Sequence, residues 1–194
     1  PLDTTTQNDT PTGIYFSNDG SKVFVLGSRG DGGDKDSIAQ YSLSTAYDVS
    51  TASDSIETLI VGAGGLGISA DPFGFTFNGD GSKVYVADGN DDRIYEITLG
   101  NNFDLTSSAT HTGTLNTDVA NGSDIPCGIT FNNDGSKLFL AGFNDQEIVY
   151  WSLGTDYDID TEGSANFFDL TPYKSASNFK PRDVDFNSNG TRMY

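Results

Sequence analysis

Short apolar and polar alternations recur along the whole chain, and each is followed by a polar turn. Ile14 and Phe16 stand two residues apart, as do Ile129 and Phe131. This spacing returns side chains to the same face of a β-strand. No segment sustains the 3.6-residue period of an amphipathic helix. The pattern therefore predicts an all-β protein.

Four segments of the sequence align with one another. They read PTGIYFSNDGSKVFVL from Pro11, PFGFTFNGDGSKVYVA from Pro72, PCGITFNNDGSKLFLA from Pro126 and PRDVDFNSNGTRMY from Pro181. Subtracting these residue numbers gives proline spacings of 61, 54 and 55 residues. Self-similarity at such a period indicates a fold built from repeated units.

Each aligned segment predicts a β-hairpin. The NDG and GDG tips place a glycine where the turn requires a positive φ, which glycine adopts without steric cost. The strands that follow, such as KVFVL and KLFLA, are continuously apolar, as expected for strands covered on both faces. The four turn glycines are Gly20, Gly81, Gly135 and Gly190.

Two further strands complete each repeat. A polar loop leads to IAQYSL, IYEITL or IVYWSL, and a second turn leads to IETLIV, THTGTL or ANFFDL. Four antiparallel strands in each 54–61-residue repeat are typical of a β-propeller blade. The predicted boundaries are a last strand of a preceding blade at 1–10, full blades at 11–71, 72–125 and 126–180, and a half blade at 181–194.

The repeat also resembles a known group of sequences. The pattern P-x-G-φ-x-F-x-x-D-G-S-K-φ-Y-V-A, followed by DDRIYEI, resembles YVTN/YncE-type and NHL-like propeller repeats. The segment LSTAYDVSTAS is similar to repeat proteins of marine bacteria and phages. The resemblance covers nearly the whole chain and implies a propeller. It leaves function open, because propellers include binding proteins, scaffolds and enzymes.

The charge of the chain restricts its partners. It carries 28 acidic and 10 basic residues, for a formal charge of −18. This field repels phosphate backbones and anionic lipid headgroups, so we expect neither as a partner. No apolar stretch approaches the roughly 18 to 20 residues that span a bilayer, so we expect no membrane insertion. The acidity favours an extracellular setting or a cell or virion surface. Cys127 is the single cysteine, so the chain has no internal disulfide framework.

One position varies in chemistry among the repeats. The x of P-x-G lies near the start of the predicted innermost strand, and innermost strands surround the central channel of a propeller. We therefore predict a ligand site at the channel mouth, against the alternative of tolerated variation at an exposed position. The four residues are Thr12, Phe73, Cys127 and Arg182.

Two acidic segments resemble calcium loops in part. Asp156, Asp158 and Asp160 alternate as at the start of an EF-hand loop, but Thr161 replaces the expected glycine and Phe167 the expected glutamate. A hairpin turn is the alternative interpretation.

The second acidic segment, DGNDDR, contains Asp88, Asp91 and Asp92 but has Arg93 at the glycine position. In a propeller, loops of this kind share one face, where carboxylates suit a hard cation such as Ca²⁺. Calcium is the one cofactor that the sequence suggests, and solvated turn chemistry is the alternative.

Enzymatic features are sparse. GAGGLG at 62–67 matches a dinucleotide fingerprint, but it precedes a predicted strand instead of a helix, so we interpret it as an inter-blade connection. His111 is the single histidine and falls on a predicted outer strand. We therefore predict a non-catalytic recognition or structural module with a small-molecule, protein or carbohydrate ligand. The alternative is a lactonase-like hydrolase or lyase with a metal in the channel.

The last residues, FNSNGTRMY at 186–194, predict only the first hairpin of a fourth blade. Three arrangements remain open. The chain is part of a longer propeller, or LDTTT near the start completes the last blade, or a second chain supplies the missing strands. Each predicts a different partner for the strand at 191–194. An open arc of blades exposes a blade face, which predicts self-association or contact with further blades.

Overall fold

The computed structural model describes residues 10–28, 36–62, 66, 72–118, 125–142, 146–173 and 179–194. They form three four-stranded antiparallel sheets, each built from consecutive strands. The predicted all-β fold, with three blades in the described residues, is confirmed. The predicted strand at 1–10 lies almost wholly outside the described residues.

In the described residues, twelve strands make up the three sheets. The first contains β1 (Thr10–Phe16), β2 (Lys22–Ser28), β3 (Ser37–Leu43) and β4 (Ala52–Ile60). The second contains β5 (Pro72–Phe77), β6 (Lys83–Asp88), β7 (Arg93–Leu99) and β8 (Ala109–Asn116). The third contains β9 (Pro126–Phe131), β10 (Lys137–Gly142), β11 (Glu147–Ser152) and β12 (Asn166–Asp169). Single 3₁₀ turns lie at Val49–Thr51, Ile159–Thr161 and Thr171–Tyr173.

The innermost strands β1, β5 and β9 lie side by side, since β1 contacts β5 and β5 contacts β9. Apolar side chains fill the space between neighbouring blades. Phe24 and Leu26 of the first blade pack in one cluster with Phe77 and Val84 of the second. A second cluster joins the second and third blades, and its buried Trp151 is 1 % exposed. Each pair of neighbouring blades is thus held together by its own cluster of apolar side chains.

The first hairpin of every repeat has the predicted turn. All four turn glycines have φ between +67° and +75°. A carboxylate or amide one residue earlier fixes the turn, as Asp134 Oδ1 accepts from the amide of Ser136 at 2.9 Å. In the fourth repeat Asn189 Oδ1 accepts from the amide of Thr191 at 3.1 Å.

The loop between the third and fourth strands covers this turn. In the third blade the amide of Tyr157 donates to the carbonyl of Gly135 at 2.9 Å, and its ring lies directly on the glycine Cα. Tyr157 has a φ of +59°, so the loop uses an unfavourable backbone conformation to place the ring. Tyr47 covers Gly20 and Phe103 covers Gly81 in the same way.

The fourth repeat is present as a hairpin turn. Phe186 and Met193 form a single β-bridge, and the amide of Tyr194 donates to the carbonyl of Asp185 at 2.8 Å. Residues 181–194 thus form a hairpin turn with a single β-bridge, where the sequence predicts the first two strands of a blade. Phe186 packs on Phe139 of the third blade, with ring centroids 4.6 Å apart.

Candidate ligand site at the channel mouth

A backbone irregularity sets the position of the variable residue in each full blade. In β1, Pro11 pairs with Gly27 and Gly13 with Leu26, so Thr12 is left outside the ladder. Phe73 is bypassed in the same way between Pro72 and Gly74 of β5. The pairing of β9 with β10 shifts at the equivalent place. Such bulges redirect a side chain away from the regular alternation of the sheet.

The glycine after the variable residue lets neighbouring innermost strands approach closely. A Cβ on Gly74 would collide with the backbone carbonyl of Cys127, and a Cβ on Gly128 would collide with Asp183. The glycine of P-x-G is therefore required by backbone contact around the channel. Gly13 is less restricted, because a Cβ there would lie 3.1 Å from the ring of Phe75.

The fourth repeat departs from this pattern. Its segment reads Pro181, Arg182, Asp183, so an aspartate occupies the position of Gly13, Gly74 and Gly128. The Asp183 carboxylate accepts from the amide of Val184 at 2.9 Å. Partial burial, with a smaller contribution from the nearby Asp185 charge, raises the pKa of Asp183 above its usual value. The mouth therefore carries one cationic and one anionic side chain that the other repeats lack.

Three of the four predicted residues meet at one cavity of about 250 Å³, which is lined by Thr12, Phe73 and Arg182 together with Asp183. The hydroxyl of Thr12 donates to the carbonyl of Pro72 across the blade boundary, at 3.4 Å. Gly128 and Ile129 of the third repeat line it too, so residues from four repeats surround a single concave space. This space combines a hydroxyl, an aromatic residue and two charged residues. Small-molecule sites have this mixture of apolar wall and few polar groups.

Cys127 behaves differently from its equivalents. It is 3 % exposed and does not line the cavity, although its backbone carbonyl lies against Gly74. Sequence reasoning missed Asp183, even though the segment containing it was aligned. One signal in the sequence could have indicated it. The fourth repeat has an aspartate where the other repeats have a glycine, and a glycine that allows two backbones to approach closely can be replaced only where the backbones lie further apart.

The Asp88 loop lies at the mouth end of the second blade, where Asp88 pairs with Pro72 in the ladder. Asp88 is buried, and its Oδ1 accepts from the amide of Asn90 at 2.8 Å. Asp91 accepts from the hydroxyl of Tyr95 at 3.0 Å. The pKa of Asp92 is raised by burial first and then by the neighbouring charges of Asp118 and Asp91. The carboxylates of Asp88 and Asp91 are therefore engaged within the loop.

The predicted calcium segment with Asp156, Asp158 and Asp160 lies at the opposite end of its blade. Asp158 caps the 3₁₀ turn Ile159–Thr161 and accepts from the amide of Asp160 at 3.2 Å. Asp160 accepts from the amide of Thr114 in the preceding blade, also at 3.2 Å. Asp156 is exposed. Two of the three carboxylates thus fix the loop and the blade boundary.

Over the described ranges, no group of three or more His, Cys, Asp or Glu side chains is arranged to hold a metal ion. Calcium binding therefore stays a prediction from the sequence. Most of the GAGGLG segment lies outside the described residues.

The single histidine lies on the outer strand β8, as predicted. His111 Nε2 is 2.8 Å from Thr114 Oγ1 and 3.0 Å from the carbonyl of Gly113. Its ring meets that of Tyr95 edge-on, with centroids 5.4 Å apart. These contacts give His111 a structural role in the outer hairpin. No helix in the described part of the chain is long and apolar enough to cross a bilayer.

Neither a protein-family model nor a curated protein sequence matches the chain. Solved structures do match it. A putative 6-phosphogluconolactonase from Bacteroides uniformis superposes with a TM-score of 0.60 at 14% identity, covering 94% of this chain and 46% of that one. The periplasmic gluconolactonase of Pseudomonas aeruginosa gives 0.57 at 13% identity, covering 93% and 45%. A nidogen/laminin complex gives 0.57 at 16% identity, covering 94% and 55%.

At these identities the likeness concerns the fold alone. The chain spans less than half the length of the gluconolactonase structures that it matches. The neighbours include both lactonases and a nidogen/laminin complex, so they support a propeller unit without deciding its activity. The three sheets, their adjacent innermost strands and these neighbours together identify the chain as part of a β-propeller.

Proposed function

We propose that this part of the propeller is a non-catalytic recognition module that binds a small polar ligand at the channel mouth. The observation that carries the proposal is the cavity formed by Thr12, Phe73, Arg182 and Asp183. Thr12, Phe73 and Arg182 come from equivalent places in three repeats, yet they differ in chemistry, whereas the turns and inter-blade contacts around them are alike. Asp183 replaces the glycine that follows this position in the other repeats. A surface built only for packing has no need of a bulge that redirects a different side chain in each blade.

The charges define the ligand class. Arg182 supplies a planar donor suited to a carboxylate or to vicinal hydroxyls, and Asp183 supplies an acceptor for a hydroxyl or amine. Phe73 adds an apolar wall on which a sugar or aliphatic face packs. We therefore expect a sugar acid, an amino acid or the polar end of a carbohydrate or peptide. The strongly acidic surface supports an extracellular or cell-surface setting.

Saturation-transfer NMR with gluconate, glucose and glycine tests this proposal. We expect transfer to at least one of these probes, and loss of that transfer in Arg182→Met and Phe73→Ala. Arg192→Met is the matched control, because Arg192 lies in the same hairpin away from the cavity and its loss should leave transfer unchanged. Equal transfer to all variants, or none to the native protein, contradicts a ligand site at the mouth.

A lactonase-like hydrolase is the second candidate, and one observation favours it. The raised pKa of Asp183 beside Arg182 is the arrangement expected of a general acid next to an anion-binding group. Under this alternative, glucono-δ-lactone hydrolysis above the uncatalysed rate is lost in Asp183→Asn while gluconate binding persists. A rate equal to that of the buffer rejects the hydrolase for this chain.

A further inference from the structure

The ring of Phe73 rests on the loop between β6 and β7. A Cβ on Gly89 would lie 2.7 Å from Cδ2 and from Cε2 of Phe73, a distance at which the ring would have to move. The same Cβ would lie 2.7 Å from Cγ2 of Ile125, the residue just before β9. One edge of the ring is therefore held against the Gly89 backbone. Phe73 nevertheless lines the mouth cavity and is only partly buried.

The backbone conformation does not require a glycine at residue 89. Among the described residues, the glycines with a positive φ are the four turn glycines, and Gly89 is not one of them. An alanine would therefore fit the backbone, and the cost of a side chain at this place comes from the neighbouring ring. What Gly89 supplies is the space in which the Phe73 ring lies.

Asp88 folds the loop that carries Gly89. Its side chain is buried, and its Oδ1 accepts from the amides of Asn90 at 2.8 Å and Asp91 at 3.3 Å. An aspartate that accepts from amides two and three residues later fixes a tight turn. The position of the Gly89 backbone, and through it that of the Phe73 ring, thus depends on a buried carboxylate.

The second repeat has its own residue order at this place. In each full blade the proline of the innermost strand pairs with one residue of the second strand, and these residues are Gly27, Asp88 and Gly142. The residues that follow them are Ser28, Gly89 and Phe143, of which Phe143 lies outside the described part of the chain. The glycine therefore comes one position later in the repeat whose variable residue is aromatic. This shift is what the packing of a ring against the loop requires.

We infer that Gly89 is a positioning residue of the mouth site and that Asp88 acts through it. The absence of a side chain at Gly89 lets one edge of the Phe73 ring pack on the loop, while the ring still forms part of the cavity wall. A larger residue at 89 displaces the ring and removes this apolar wall, although Arg182 and Asp183 keep their places. Residue 89 therefore sets whether the site accepts an apolar group beside its charges. This inference rests on the proposed ligand site at the mouth.

Two amino acids that differ in their apolar side chain measure this effect. Leucine and glycine share the carboxylate and the ammonium that suit Arg182 and Asp183, but only leucine has an isobutyl group to pack on Phe73. We expect the native protein to bind leucine about fivefold more tightly than glycine. Gly89→Ala and Phe73→Ala should each lose this preference and keep the affinity for glycine. Dissociation constants from NMR titrations of the ¹⁵N-labelled protein measure both.

Gly163→Ala is the matched control for the added methyl group. A Cβ on Gly163 would have only the carbonyl oxygen of Ser152 within 4 Å, at an ordinary distance of 3.4 Å. This variant should keep the native preference for leucine. Asp88→Asn keeps an acceptor oxygen in the loop and should also keep the preference, whereas Asp88→Ala should reduce it. A native preference in Asp88→Ala contradicts the role of Asp88.

A double-mutant cycle tests the contact between Phe73 and Gly89 without any ligand. Gly89→Ala should lower the Tm of the native protein. It should cost less in the Phe73→Ala background, because truncation of the ring leaves space for the added Cβ. Equal losses in both backgrounds would show that the ring is not held on Gly89, and would overturn the inference.

The titrations separate this inference from the proposed ligand site. A leucine preference that persists in Gly89→Ala overturns the role of Gly89, while binding of glycine that depends on Arg182 upholds the site. Equal native affinities for leucine and glycine also overturn the inference, because Phe73 then forms no wall for the ligand. Absence of binding of both amino acids overturns it too, and the proposed function fails as well only if gluconate and glucose do not bind either.

Discussion

The two ends of the innermost strands differ in what repeats. At the turn end, each strand runs into a glycine with positive φ, fixed by a side-chain oxygen and, in three blades, covered by an aromatic ring. At the mouth end, each full blade has the same bulge but a different side chain, and Asp183 replaces a glycine. At both ends the backbone conformation repeats from one full blade to the next. The difference therefore separates residues that hold the fold from residues available for recognition.

The carboxylates at the two ends differ in the direction of their pKa shifts. Turn carboxylates accept hydrogen bonds from amides and hydroxyls two residues away, and these bonds lower their pKa values, in the case of Asp19 to about 2. The pKa of Asp183 at the mouth is raised, because partial burial favours the neutral acid. Asp19 thus stabilises the fold in its charged form, whereas the charge of Asp183 opposes folding.

The largest expected effect comes from the turn end. Gly135→Ala places a Cβ at a φ of +75° against the Tyr157 ring, and we expect a loss of about 3 kcal/mol in the free energy of unfolding. Gly190→Ala has a similar φ but open space, so its cost should be about 1 kcal/mol or less. Urea unfolding monitored by Trp151 fluorescence measures the first loss, and hydrogen exchange in the last hairpin measures the second. Equal losses would contradict the structural role assigned to the covering ring.

Much of this contrast could be predicted from the sequence. The spacing of the prolines, the turn glycines and the strand pattern predicted the blades, because backbone conformation depends on a few residue types at fixed intervals. The variable position of P-x-G could be found for the same reason, because its residue type changes between repeats while the flanking residue types mostly recur. The covering of Gly135 by Tyr157 was not predicted, since it depends on a positive φ at a tyrosine. The burial of Cys127 also escaped, because it depends on how closely two neighbouring strands approach.

Acid should destabilise the turn end. The turn carboxylates Asp19, Asp80 and Asp134 have folded pKa values below their unfolded value of 3.8, so their stabilising contribution is complete above that value and is lost as the pH falls through the folded pKa. The steep part of the loss should therefore begin below about pH 4. Thermal unfolding between pH 7 and pH 2 measures this, and Asp19→Asn should flatten the curve below pH 4. An unchanged slope in that variant would contradict the bonding seen at the Asp19 turn.

The mouth carboxylate should show the opposite sign with a smaller effect. The folded pKa of Asp183 lies above its unfolded value, so its charge destabilises the fold above the folded pKa and has no effect below the unfolded one. Asp183→Asn removes the charge while its side-chain oxygen still accepts from the amide of Val184. We expect a slightly higher Tm than the native protein at pH 7 and an equal Tm at pH 3. A lower Tm at pH 7 would show that the carboxylate is stabilised at the mouth.

Calcium should have the smallest effect on the Tm. Its addition tests the acidic segments at the turn end and at the mouth end in one experiment. Asp158 at the turn end and Asp88 at the mouth end already accept backbone hydrogen bonds, so a cation would have to compete for oxygens that shape the loops. Any divalent cation should raise the Tm somewhat by screening the net charge of −18. We therefore expect equal shifts with Ca²⁺ and Mg²⁺ at the same ionic strength, reversed by EDTA. A larger shift with Ca²⁺ that disappears in Asp156→Asn would place a calcium site at the turn end, and one that disappears in Asp91→Asn would place it at the mouth.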